Sequence, residues 1–195
     1  MDTMDLYRLA QDGFDAVLAT VGPDRWDGPS ACSEWSVRDV AGHATWGQRQ
    51  LRAWATGEDY QESTGGPGSV NPGALTGEDP VAAWREAREQ SLSTLTQEAL
   101  TTPTSIPGLG EVSLVAVVTL LTTDLAVHTW DVGHALGAPV RLDPVLVSVA
   151  SEWTHANAVR RPGFFGPELA PPDGADEQTR MLAFVGRAQW EPVRG

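Results

Sequence analysis

The chain has 195 residues with 26 acidic and 13 basic side chains, a formal net charge of -13, and this length predicts one folded domain spanning residues 1–195. Such a surface repels phosphate backbones and anionic lipids, so we expect no nucleic-acid partner and no membrane partner. All 13 basic residues are arginines and Cys32 is the one cysteine, which excludes lysine Schiff bases, Walker phosphate loops, internal disulfides and multi-cysteine metal sites, and predicts a reducing, cytoplasmic location.

The N-terminal half predicts two helices separated from the rest by a long loop. Apolar residues at three- and four-residue spacing predict a first helix over Met4–Thr20. Ser36 followed by Asp39 is an approximate capping box and predicts a second helix over Val37–Thr56. Residues Gly57–Gly77 are rich in Gly, Ser, Thr and Pro, and their length indicates a crossover or a functional loop.

The C-terminal half predicts further helices by the same start and stop signals. They cover residues 80–100 after Asp79, 113–136 before a left-handed Gly137, 144–160 after Asp143, and 176–185. The apolar start of the 113–136 helix makes it the most buried, and its ten-residue apolar stretch, 112–121, is too short to span a bilayer. No segment alternates at period two over a convincing length. We therefore predict an all-α helical bundle with an extended tail over residues 162–175.

The candidate chemistry lies in the histidines and their acidic neighbours. The sequence has no nucleophile elbow, H-E-x-x-H or dinucleotide-binding motif. Asp124 and His128 are four residues apart and therefore project from one face of the predicted 113–136 helix. A divalent metal is one interpretation of this pair. A hydrogen bond between Asp124 and His128, or an arginine salt bridge to Asp124 in the core, is the alternative.

His43 completes a candidate three-ligand set. Asp124 follows an apolar run, and a buried carboxylate is costly unless a cation or hydrogen-bond donors compensate it. His43 lies at the margin of the apolar stripe of the second helix and is also predicted to point inward. His43, Asp124 and His128 would leave coordination positions open, as in catalytic metal sites. A core histidine with a structural role is the alternative for His43.

Three segments resemble the DinB-like superfamily. They are residues 32–43 (CSEWSVRDVAGH), 124–131 (DLAVHTWD) and 162–168 (PGFFGPE). The closest resemblance is to the branch related to the N-terminal domain of mycothiol-dependent maleylpyruvate isomerase, typical of mycothiol-using bacteria. It spans nearly the whole chain, and it combines a tryptophan eight residues before the first histidine with the later acid-x-x-x-His-x-Trp-Asp block.

The resemblance implies a four-helix bundle with additional C-terminal helices and a metal triad on His43, Asp124 and His128. In the isomerase branch the carboxylate ligand is usually glutamate, so the shorter Asp124 implies altered bond distances or metal preference. The isomerase also has a second, C-terminal domain, which we expect this chain to lack. The resemblance therefore implies a thiol-dependent transferase or isomerase rather than maleylpyruvate isomerisation itself.

Other residues near the triad have weaker predicted roles. Asp131 is one turn beyond His128 and is predicted either to orient that ligand or to bond a neighbouring helix. Trp46 and Gln50 follow His43 on successive turns and, together with Asp131, are candidates for substrate binding, with core packing as the alternative for Trp46. Cys32 is predicted to be a small buried hydrophobe rather than a redox thiol.

Together these features favour a metal-dependent enzyme in which a low-molecular-weight thiol attacks a small electrophilic metabolite. Mycothiol is the first candidate for this thiol. The predicted metal is Zn²⁺, with Ni²⁺ or Fe²⁺ as alternatives. A hydrolase that activates water, an Fe²⁺ enzyme that uses O₂, and a non-enzymatic binding bundle are the competing functions. The expected partner is a small molecule, and the expected assembly is a monomer or a homodimer.

Overall fold

The computed structural model describes residues 1–106, 110–160 and 164–188, and it is mostly helical. The described elements are α1 (Thr3–Leu18), α2 (Val37–Thr56), a 3-10 helix (Pro72–Thr76), α3 (Pro80–Leu92), α4 (Gln97–Thr101), β1 (Pro103–Ile106), β2 (Gly110–Ser113), α5 (Leu114–Ala135), α6 (Pro144–Asn157) and α7 (Glu177–Phe184). The predicted all-α class is confirmed, because the described residues are mostly helical and their strands form a single small two-stranded sheet.

Four helices form the bundle that carries the core. Helix α5 packs beside α1 and α2, and α3 closes the ring against α2 and α1. Tyr7, Phe14 and Trp84 are fully buried between them, and the rings of Phe14 and Trp84 meet edge to face at 4.8 Å. Removing each such side chain from water contributes about 1.5–3 kcal/mol, which explains why the apolar stripes bring these helices together.

Helix α5 is the central element, as its apolar composition predicts. Its second face lies under α6 and α7, where Val127 and Trp130 pack with Met181 and Val185. The helix is long and apolar enough to cross a membrane, but 72% of its most apolar window is buried inside the protein. Such burial is typical of the core helix of a soluble protein, and it agrees with the expectation that this segment is not a membrane span.

Local capping signals set the predicted helix ends. Ser36 and Asp39 form a complete capping box at the start of α2, and Gly57 ends that helix in the left-handed conformation, with φ 72°. Gly137, just beyond α5, also has a left-handed φ of 73°. These positions match the predictions because caps depend on residues within one turn of each other.

The prediction of one continuous helix over residues 80–100 is wrong. It ends at Leu92, and a separate helix α4 begins at Gln97. The Ser93 and Thr94 hydroxyls bond to the carbonyls of Gln90 and Ser91, and the Thr96 side chain caps α4 by accepting from the Ala99 amide. Hydroxyl groups that bond nearby backbone compete with helix propagation, and here they end the helix.

The hairpin was not predicted. Strands β1 and β2 pair antiparallel over four residues each, from the Pro103–Ser113 pair to the Ile106–Gly110 pair. Four residues are too few for alternation to be recognised in the sequence. The helix predicted over 144–160 ends three residues earlier, at Asn157. In the tail, residues 164–175 contain no helix or strand, as predicted, whereas Pro162 and Gly163 lie outside the described residues.

Candidate metal centre

The packing of α2 against α5 brings the three predicted ligands together. His43 projects from α2, while Asp124 and His128 project from one face of α5. His43 is 8% exposed and His128 is 5% exposed. The Asp124 side chain is 25% exposed, so it is less buried than its sequence context predicts. The centre is therefore a site with buried imidazoles and a carboxylate that remains accessible from outside.

The distances in this cluster fit a small divalent cation. His43 Nε2 lies 3.4 Å from Asp124 Oδ2, and His128 Nε2 lies 3.4 Å from Asp124 Oδ1. One ligand atom from each of the three residues lies within 4.8 Å of the others. Ligand atoms bound at about 2.1 Å with tetrahedral angles are about 3.4 Å apart, the distance of both histidine–carboxylate contacts.

Each histidine has its other ring nitrogen held by an acceptor. His43 Nδ1 lies 2.7 Å from the Gly65 carbonyl oxygen, and His128 Nδ1 lies 2.9 Å from Asp131 Oδ2. A carbonyl or an ionised carboxylate only accepts, so both Nδ1 atoms donate. In the neutral rings the lone pair is then on Nε2, which faces Asp124. This is the tautomer that metal-binding histidines adopt.

The acceptor for His43 comes from the long loop, in a segment of residues 62–73 that we call the strap. Trp46 Nε1 donates to the Glu62 carbonyl at 2.6 Å, and Trp35 Nε1 donates to the Ser69 carbonyl at 2.9 Å. Gly65 is buried against Trp46, where a Cβ would lie only 2.1 Å from the Trp46 Cβ. The glycine-rich loop expected from sequence is thus a fixed cover over the His43 side of the centre.

The strap is also attached to the start of α2. A Cβ at Gly42 would lie 2.0 Å from the Pro72 carbonyl oxygen, and the Gly73 amide donates to Asp39 Oδ1 at 2.9 Å. Glycine at position 42 therefore allows the chain to cross next to His43. Asp39 serves both the helix cap and the strap.

The acceptor for His128 belongs to a second buried ion pair. Asp131 is fully buried and receives Arg187 through two bonds, Nε to Oδ1 at 3.0 Å and Nη2 to Oδ2 at 2.8 Å. Arg187 follows α7 and has a side chain only 10% exposed. Sequence reasoning missed Arg187, because the two residues are 56 positions apart and no local spacing relates them.

Opposite charges shift the pKa values of Asp124, His128 and Asp131. Burial raises the pKa of Asp124, but the two histidines outweigh it and hold this pKa well below its ordinary value. Burial lowers the pKa of His128, but Asp124 and Asp131 raise it to about 9. Burial likewise opposes ionisation of Asp131, yet Arg187 and His128 lower its pKa to about 2. Both carboxylates are ionised at neutral pH, which favours a bound cation.

The other residues singled out from the sequence do not belong to the three-residue cluster. The ring of Trp46 stacks on His43 with centroids 6.1 Å apart, whereas Gln50 is a half-buried residue further along α2. Cys32 is partly buried, and burial raises the pKa of its thiol to about 12. His134 stacks on Trp130 and His155 on Phe184, and neither joins the three-ligand cluster.

Comparison with known proteins identifies the family. The family model for the mycothiol maleylpyruvate isomerase N-terminal domain matches residues 7–133. The chain belongs to this family. The match confirms the family resemblance predicted from the sequence. The matched region contains His43, Asp124, His128 and Asp131 but not Arg187.

Two curated relatives of this family member come from Mycobacterium tuberculosis. They are the uncharacterized protein MT0763 of strain CDC 1551 / Oshkosh and the uncharacterized protein Rv0738 of strain ATCC 25618 / H37Rv. Each is 30% identical over 198 aligned positions, covering 96% of this chain and 98% of the relative. The similarity to these proteins therefore extends beyond the N-terminal domain and includes the C-terminal helices.

Two solved structures share the fold. They are crystal structures of the mycothiol-dependent maleylpyruvate isomerase and of a histidine-to-alanine mutant of it, each with a TM-score of 0.55. Sequence identities are 21% and 20%, and the alignments cover 78% of this chain and 68% of the isomerase chain. The isomerase fold thus accounts for most of the present chain.

Proposed function

We propose that this protein is a metal-dependent enzyme that uses a low-molecular-weight thiol in a transfer or isomerisation of a small electrophilic metabolite. Mycothiol is the first candidate for the thiol. The observation that carries the proposal is the convergence of two histidine Nε2 atoms on the Asp124 carboxylate, with both Nδ1 atoms already bonded. Family membership supports the thiol. Zn²⁺ suits this ligand set, with Ni²⁺ and Fe²⁺ as alternatives.

His43, Asp124 and His128 would hold the metal, and three protein ligands leave at least one position for an external group. A divalent metal bound there supplies Lewis acidity that favours the thiolate over the thiol at neutral pH. Asp131 keeps a proton on His128 Nδ1, and the Gly65 carbonyl keeps one on His43 Nδ1. Both bonds fix the rings before any ligand arrives, so little ordering is required on binding.

Aromatic side chains around His43 would control access to this position. Trp35 lies 4.8 Å from His43 and 6.0 Å from His128 between ring centroids, and Trp46 also stacks on His43. Both indoles are fixed by hydrogen bonds to the strap. An apolar surface beside a charged centre lowers the local dielectric, which strengthens the attraction between a cation and a thiolate. Trp46 and Gln50 remain our candidates for substrate contacts.

The proposal is tested by cobalt substitution and a thiol-dependence assay. The purified protein should bind about one divalent metal per chain. Addition of mycothiol to the Co²⁺ form should produce a sulfur-to-cobalt charge-transfer band, which the His43→Ala protein should lack. Turnover of an electrophilic test compound should then require both metal and thiol.

The competing functions give different results in the same assay. A hydrolase would act without thiol, an Fe²⁺ oxygenase would require O₂, and a binding protein would show no turnover. If mycothiol, glutathione and free cysteine all leave the Co²⁺ spectrum unchanged, the thiol-dependent function is wrong and water activation becomes the better hypothesis.

A further inference from the structure

The Asp131–Arg187 pair lies directly behind the histidine that α5 contributes to the metal centre. Asp131 Oδ2 is shared, since it accepts from His128 Nδ1 at 2.9 Å and from Arg187 Nη2 at 2.8 Å. The second oxygen, Oδ1, accepts from Arg187 Nε at 3.0 Å. With Asp131 fully buried, water does not supply these bonds. The carboxylate is therefore held in one orientation by a side chain from outside α5.

We propose that Arg187 is a positioning residue of the metal centre: it fixes Asp131, which in turn orients His128 so that Nε2 faces Asp124. The inference rests on the metal site of the proposed function and extends it to a residue beyond the region that the family model matches. Arg187 touches neither metal nor substrate in this role. It acts on His128 through the buried carboxylate of Asp131.

A chain reversal directly after α7 brings Arg187 to Asp131. Gly186 has a left-handed φ of 83°, and a Cβ there would lie 2.9 Å from the Pro167 carbonyl oxygen. The Arg187 amide donates to the Leu182 carbonyl at 2.8 Å, which turns the chain back toward α5. Glycine is required at position 186 both for its conformation and for the close approach of the tail.

Arginine has two properties that suit this position. Its planar guanidinium bonds both oxygens of a carboxylate at once, which fixes rotation of the carboxylate as well as its location. Its permanent charge balances Asp131, whose isolated burial would be strongly unfavourable. Lysine would retain the charge but would replace the two-point contact with a single flexible donor.

The test compares Arg187→Gln and Arg187→Lys with the matched control Arg85→Gln. Arg85 makes the same two-point contact with Asp15, at 2.7 and 2.9 Å, but on the surface between α3 and α1. Affinity is measured by competition with a chromophoric chelator, and ligand geometry by the d–d spectrum of the Co²⁺ protein. Far-UV circular dichroism of the chelator-treated proteins reports the fold.

Arg187→Gln should lower Co²⁺ affinity about 10- to 100-fold and shift the d–d bands. Arg187→Lys should have intermediate affinity, and Arg85→Gln should match the wild type in both measurements. If Arg187→Gln does not fold, the lysine variant, which retains the compensating charge, decides by the same two readouts.

Three results would overturn the inference. Wild-type affinity and spectrum in Arg187→Gln, or in Arg187→Lys where the glutamine variant does not fold, would refute the role of Arg187 while leaving the metal centre and the proposed function intact. An equal loss in Arg85→Gln would show a general stability effect rather than positioning. Absence of metal binding by the wild-type protein would refute both the inference and the proposed function.

Discussion

His43 and His128 meet edge to face across the α2–α5 interface, with ring centroids 5.3 Å apart and an interplanar angle of 78°. Each presents Nε2 to a different oxygen of Asp124. The strap holds Nδ1 of His43, and Asp131 of the same helix holds Nδ1 of His128, with its own carboxylate fixed by the distant Arg187. The two imidazole rings are thus oriented independently, and each orientation is separately testable.

Replacing His43 with alanine should reduce metal affinity by more than about 100-fold, because loss of a ligand should exceed the effect of losing a ligand's hydrogen-bond partner. Metal content after dialysis, measured by plasma mass spectrometry, checks this. His155→Ala removes an exposed histidine from α6 and should retain full metal content. Full occupancy in His43→Ala would show that His43 is not a ligand.

Asp124→Asn preserves the size of the side chain but removes its charge, so metal affinity should fall by orders of magnitude while the helical circular dichroism spectrum persists. Asp124→Glu places the charge one methylene further out, so it should recover part of the metal occupancy but less of the activity. If Asp124 instead has only a structural role, the asparagine variant would unfold at lower temperature with unchanged metal content.

Gly65→Ala should weaken metal binding by moving the strap. The new Cβ would meet Trp46 at 2.1 Å, which forces the Gly65 carbonyl away from His43. We expect a loss of about 10-fold or more, comparable with other losses of a ligand's hydrogen-bond partner. Gly66→Ala is the control, since its Cβ would approach no closer than 3.3 Å to its neighbours. Equal affinities in the two variants would argue against the strap as the support of His43.

Metal affinity and the stability of the chelator-treated protein should respond to pH in opposite directions. The pKa of His128 is raised from 6.5 to about 9, so its protonated form contributes stability that is complete below pH 6.5 and is lost as pH rises through 9. The loss should be on the order of 3 kcal/mol by denaturant unfolding. Because the metal displaces this proton, its affinity should rise about tenfold per pH unit up to pH 9.

Isothermal titration calorimetry in buffers of different ionisation enthalpy counts the proton released per metal ion, and one proton is expected at pH 7. The Arg85→Gln protein, altered at a remote surface pair, should give the same pH profile. An affinity that is constant between pH 6.5 and pH 9 would contradict a protonated His128 in the chelator-treated protein.

The sequence alone was sufficient for the features that depend on local spacing. The cap of α2 at Ser36 lies within one turn of the residues it serves, and Asp124 and His128 share a helix face because they are four positions apart. The capping box and the apolar stripe placed His43 on a second helix, and the motif resemblance predicted the family, which comparison confirms. The break after Leu92 and the β1–β2 hairpin were missed, since a few hydroxyl bonds or four-residue strands give too weak a pattern.

Tertiary structure alone determined the long-range contacts that support the two imidazole rings. Gly65 was expected in a long crossover or functional loop, and its carbonyl bonds His43 across 22 positions because Gly42 leaves room for the strap to cross α2. Arg187 reaches Asp131 across 56 positions because of the chain reversal at Gly186. No periodic pattern relates residues that far apart. Such contacts form only when the burial of apolar surface on several helices brings the segments together, so their partners are specified by the whole fold.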